Sequence, residues 1–103
     1  MIDCSRCGKK LGEGEEGRPL AVICGGIMGD EYAESWYFCP HCQVYTVEYH
    51  HDRFLGEDDL KVEGPIDKAT GDAKVAIIRR CPEPWSKHCR CPAHQEYFGN
   101  WLD

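Results

Sequence analysis

The chain reads as a small metal-stabilised α+β domain: an antiparallel β-sheet, then one helix, then an irregular C-terminal metal-binding segment. Three observations predict this. Two C-x-x-C hooks, Cys4-Ser-Arg-Cys7 and Cys39-Pro-His-Cys42, bracket stretches that alternate like strands. The 103 residues include eleven glycines and six prolines, so the core is thin and a metal clip is the expected remedy. After a helix-like stretch, Cys81, Cys89, Cys91 and His94 crowd together near the C-terminus.

The first hook places two thiols at the spacing that turns both sulfurs toward one point. Gly8 follows it, where φ > 0 lets the chain leave the turn. Residues 12–18, rich in glycine and glutamate, read as a solvated loop. Leu20-Ala-Val-Ile-Cys24 is an apolar run of strand length, broken by a glycine-rich hairpin tip from Gly25 to Asp30. From Tyr32 to Phe38 the pattern alternates, with Tyr32, Glu34, Trp36 and Phe38 on one face. The second hook follows, with Pro40 fixing φ inside it. Beyond it, Val44 to His50 alternates again, Tyr45, Val47 and Tyr49 sharing a face. Residues 1–51 are therefore expected as a β domain, 52–65 as an acidic connector, and 66–103 as a helix plus a Cys/His-rich tail packed as an appendage. Helix-compatible spacing runs from about Ile66 to Arg80; Gly71 points to a firm start at Asp72, and Pro82 ends the helix.

Cys91-Pro-Ala-His94 copies the plan of the second hook with a final histidine. With Cys89 and Cys81 it makes a candidate Cys₃His set, His88 being an alternative ligand. The competing reading is a reduced cysteine cluster covered by Trp85, Tyr97, Phe98 and Trp101.

The formal net charge is −6, and bound thiolates would make the chain more acidic still. That disfavours nucleic acid and anionic membrane as partners of the whole molecule. No apolar stretch approaches membrane-spanning length. Met1-Ile2-Asp3-Cys4 lacks the basic start and apolar run of a secretory signal. A cytoplasmic chain with reduced thiols is the expectation, where paired cysteines usually hold metal.

The arrangement Cys4-x-x-Cys7-Gly8 … Cys39-Pro40-x-Cys42 resembles the paired knuckles of zinc ribbons and of rubredoxins. The likeness covers about the first fifty residues. It implies a zinc-ribbon-like sheet and tetrahedral ligation by Cys4, Cys7, Cys39 and Cys42. Zinc, two ions in all, is preferred over the iron of rubredoxins, because Gln43 stands where a rubredoxin-like second knuckle has glycine.

Cys24, before Gly25-Gly26, is either a nucleophile beside backbone N–H groups or a small strand residue; the second is preferred. His50 and His51 point to opposite faces of a strand and cannot chelate together. Glu57-Asp58-Asp59 reads as a solvated turn. Arg79, Arg80, Trp85, Lys87 and Arg90 form a basic–aromatic cluster that can bind a partner or merely satisfy a helix end. The expected function is a non-catalytic zinc module that contacts a protein partner. The alternatives are a rubredoxin-like iron electron carrier, or nucleic-acid binding through the C-terminal cluster.

Overall fold

The computed structural model describes residues 3–8, 19–27, 29–53, 56 and 58–99. The loop at 12–18, Met28, Glu57 and Trp101 lie outside them. The chain builds β1 (Ala21–Ile27), β2 (Asp30–Cys39), β3 (Val44–Asp52), β4 (Asp59–Asp67), α1 (Lys68–Arg80) and α2 (Pro92–Phe98). The strands form one antiparallel sheet in the order β1-β2-β3-β4.

The alternation is visible in the register. Ala21 opposes Trp36, which opposes Val47; Ile23 opposes Glu34, which opposes Tyr49. These residues share one face, and it is the face the helices cover. Val75 and Ile78 of α1 join Ala21, Ile23, Trp36, Tyr45 and Val47 in a single buried cluster, with Tyr97 and Phe98 of α2 packed against it.

Four sequence expectations change. β1 does not stop at Cys24 but runs through the glycine pair, because Gly25 and Gly26 pair with Tyr32 and Glu31. Among the described residues of the tip, Gly29, at φ +86°, takes the left-handed turn conformation. The segment expected as a connector contains most of β4: Lys61 and Glu63 oppose Tyr49 and Val47 despite their charge, so pairing with β3 overrides a composition that favours loop. α1 begins at Lys68, not Asp72. Asp67 caps it, accepting from the Thr70 N–H at 3.0 Å and from the Thr70 hydroxyl at 2.7 Å. Finally, the tail is not wholly irregular: Pro92 at the first turn and the Cys91 cap start the helix α2.

Candidate metal centres

The first hook is held by its own backbone and by the sheet. The Gly8 N–H donates to the Cys4 carbonyl at 3.0 Å, and the Gln43 N–H donates to the Cys39 carbonyl at 2.8 Å. The two knuckles thus close in the same way. Each closes on a residue with positive φ, +77° at Gly8 and +57° at Gln43. Gln43 fills the glycine role by donating its side-chain amide to the Pro40 carbonyl at 2.8 Å, an offset against the cost of the left-handed conformation. Knuckle one docks on β3 through Thr46, fully buried. Thr46 Oγ1 accepts from the Ser5 N–H at 3.0 Å and lies 2.9 Å from the Ser5 hydroxyl. Gly64 makes room on β4: a Cβ there would press on Ser5 Oγ and lie 3.0 Å from the Tyr45 carbonyl.

One ligand atom from each of Cys4, Cys7, Cys39 and Cys42 falls within 4.8 Å of the others, and the same holds for Cys81, Cys89, Cys91 and His94. All eight cysteines are free thiols. The contact from Cys7 Sγ to Cys39 Sγ is 3.9 Å; in the second group Cys81 Sγ lies 3.6 Å from Cys89 Sγ and 3.4 Å from Cys91 Sγ. A tetrahedron with metal–sulfur bonds of about 2.3 Å has edges of about 3.8 Å, so these spacings suit one cation at each centre. Both donor sets can hold a metal ion.

Electrostatics agree with the donor chemistry. Burial pushes the Cys4 thiol up, but the Cys7 and Arg6 N–H groups and the neighbouring thiols outweigh it and bring it down to about 7. Contact with Cys7, then desolvation, pushes Cys42 up to about 12. In the second centre burial and Cys91 raise Cys81 to about 12. Cys91 is pushed up by burial yet held lower overall by the His94 N–H and by Cys81. A sulfur that gains charge makes the next one harder to ionise, and a bound cation removes that conflict.

His94 is the most informative ligand candidate. It is fully buried. Its Nδ1 faces Cys81 Sγ at 3.0 Å, and its Nε2 sits 2.5 Å from the Cys24 carbonyl. With Nε2–H donating to that carbonyl, the Nδ1 lone pair is aimed at the sulfurs. This is the outer-shell arrangement that orients metal-binding histidines. His88, the alternative, is exposed and falls outside the group.

Cys24 therefore acts here through its backbone. Its N–H donates to the Pro84 carbonyl at 2.7 Å while its C=O accepts from His94, so the tail covers the β1 edge. Burial and the Glu31 charge push its thiol up, away from nucleophile chemistry.

Several members of the basic–aromatic cluster are engaged within the chain, and Lys87 lies beside Trp85 in one cavity and beside Arg90 in another. Lys87 pairs with Glu31, and Arg80 with Glu96 at 2.5 Å. Arg90 donates to the carbonyls of Lys87 and Cys89 at 3.0 and 3.1 Å. Arg79 is exposed on the last turn of α1. Trp85 is no lid on the core; it is 68% exposed. His50 and His51 do point apart: His51 stacks on Tyr32 and lies 2.8 Å from Asp30, while His50 approaches Asp58 at 3.4 Å.

Sequence reasoning missed the Ser5–Thr46 dock and the Cys24 carbonyl. The first had a faint signal, a threonine inside the apolar run Val44–Val47; the second had none, since every residue has a carbonyl. No helix among the described residues is long and apolar enough to cross a membrane. Compared with known proteins, the chain matches no family model, no curated protein and no solved structure.

Proposed function

We propose that this chain is a two-zinc protein whose ions are structural, a non-catalytic module that presents a surface to a protein partner. The observation that carries the reading is the His94 geometry, with one ring nitrogen on a fixed carbonyl and the other at 3.0 Å from a thiol. An imidazole so held is a ligand in waiting. The residues that would hold the ions are Cys4, Cys7, Cys39 and Cys42 at the first centre, and Cys81, Cys89, Cys91 and His94 at the second. Four protein donors per ion leave no position for a substrate water, which speaks against hydrolytic chemistry. The paired knuckles at Gly8 and Gln43 support a tetrahedral thiolate-bound ion in the first centre, which we read as zinc, and the location implied by reduced thiols is the cytoplasm.

Elemental analysis of the purified protein tests this. Two zinc ions per chain are expected, falling to one in Cys7→Ser and in Cys91→Ser. The variants should differ in place: Cys7→Ser should loosen the sheet, Cys91→Ser mainly the segment from Cys81 through α2, read by amide exchange. A folded protein free of metal would overturn the proposal. A coloured sample containing iron would replace it with electron transfer.

A further inference from the structure

The helices cover one face of the sheet; the opposite face carries the row Cys24–Ala33–His50–Leu60 and the row Val22–Ser35–Glu48–Val62, read across the strand pairs. β4 is inverted relative to a strand with a polar outer face. Its charged Lys61 and Glu63 lie on the side of Trp36 and Tyr49, while Leu60 and Val62 point away from the core. Those two are 66% and 50% exposed. At the other edge, Trp85 and Lys87 of the tail border a cavity of about 160 Å³ together with Glu31, Ala33, His50 and Asp52, Lys87 being paired with Glu31. An adjoining groove runs from Ala33 and His50 to Leu60, past Glu48, Asp58 and Asp59. The small side chains of Ala33 and Ser35 line it with Leu60, and the Trp85 cavity meets it at Ala33 and His50.

The charge of this face is one-sided. Glu31, Glu48, Asp52, Asp58 and Asp59 border it. Lys87 offsets Glu31 and Arg53 offsets Asp59, leaving an excess of negative charge. Asp52 feels it directly: contact with Asp58, then the Asp58 charge, desolvation and the Glu31 charge, push its carboxyl up against the pull of His50. A cation brought into the cavity would relieve that repulsion and meet the indole of Trp85.

We propose that this open face docks a basic, extended peptide segment of a partner protein, one of whose Lys or Arg side chains enters the cavity beside Trp85. The inference rests on the interaction-module reading and names the partner's chemistry. Leu60 and Val62 supply apolar contact, and the carboxylates select the sign of the charge. A second copy of this chain is the poorer occupant, because two such faces would juxtapose like charges. Nucleic acid is excluded from the face on the same ground.

The test is a titration of the full-length ¹⁵N-labelled protein, its metal content measured beforehand, with a ten-residue peptide alternating Lys and Val. A matched peptide with Glu in place of Lys is the control. Amide shifts are expected at Ala33, Ser35, Glu48, His50 and Leu60 and at the Trp85 indole, with affinity falling as salt rises. Trp85→Ala should weaken binding at least tenfold, and the pair Asp52→Asn/Asp58→Asn comparably; Trp85 and Asp58 are exposed and Asp52 lies half-buried at the end of β3, so the fold is expected to survive, which the dispersion of the amide spectrum checks. Binding of the Glu peptide as tightly, shifts confined to the helix face, or indifference to both variants would overturn the proposal. So would self-association through this face in sedimentation without peptide. A protein with two zinc ions that ignores the Lys peptide sinks this inference alone. A folded protein lacking zinc sinks the metal reading, while the same titration still decides this one.

Discussion

Gly71 sits inside α1, and replacing it with alanine should destabilise the protein although helix propensity says the opposite. In an open helix, Gly→Ala gains about 1 kcal/mol. Here the Tyr45 ring lies against the glycine. A Cβ would fall 2.5 Å from Tyr45 Cγ and Cε2, and nearer still to Cδ2. The ring cannot slide aside cheaply. Its hydroxyl donates to Asp72 at 2.6 Å, and the ring packs edge-on to Trp36 and at a tilt to Phe38, with centroids 5.8 and 5.0 Å away. Overpacking of a tight core costs about 1–3 kcal/mol, and a clash with three ring carbons belongs at the upper end. The net expectation for Gly71→Ala is a loss of about 1–2 kcal/mol, a fall in Tm of roughly 5–15 °C for a chain of this size. Thermal unfolding of the zinc-loaded protein by circular dichroism measures it. In a Tyr45→Ala background the same substitution should become neutral or stabilising, which a double-mutant cycle reads as coupling. A rise in Tm for Gly71→Ala in the native background would refute the reasoning.

Three further expectations follow from buried polar contacts. Trp36 Nε1–H donates to Tyr97 Oη at 2.8 Å, and Tyr97 donates to Glu34 at 2.6 Å; Tyr97→Phe leaves the indole N–H without its acceptor and should cost about 1–3 kcal/mol by urea unfolding. Glu34 is pushed above its ordinary value of 4.5, first by burial, against the pull of Tyr97 and Lys74. The folded state therefore holds this proton more tightly than the unfolded one. The stability that Glu34 contributes is fully present below pH 4.5 and is lost as pH rises through the raised value. Glu34→Gln should flatten that part of the profile and be at least as stable at pH 7; a steeper loss above pH 5 in the variant would contradict this. Thr46→Val removes the acceptor for the Ser5 N–H and should weaken metal retention at the first centre about tenfold or more, read by competition with a chromogenic chelator; unchanged retention would show the dock to be irrelevant.

Much of the sheet was legible because its information is local and repeated. The alternation in Tyr32–Phe38 and Val44–His50 fixes which side chains face the helices once the strands pair. Asp59–Asp67 was not legible, since an acidic stretch with Gly64 and Pro65 becomes a strand only when β3 offers it a partner. The Asp67 cap was present in the sequence, but Gly71 obscured the helix start. A glycine's missing side chain gives no hint that an aromatic ring fills the gap.

By itself, the sequence determined which atoms can meet as ligands within a hook. C-x-x-C and C-P-x-H set their donors three residues apart, and one turn of backbone suffices to aim them. Tertiary structure alone decided what lies across the chain from each hook: Thr46 under Ser5, the Cys24 carbonyl behind His94, and an acidic sheet face, opposite the helices, beside Trp85. The first two join residues 41 and 70 positions apart. They depend on how strands and helices stack, which no local pattern encodes.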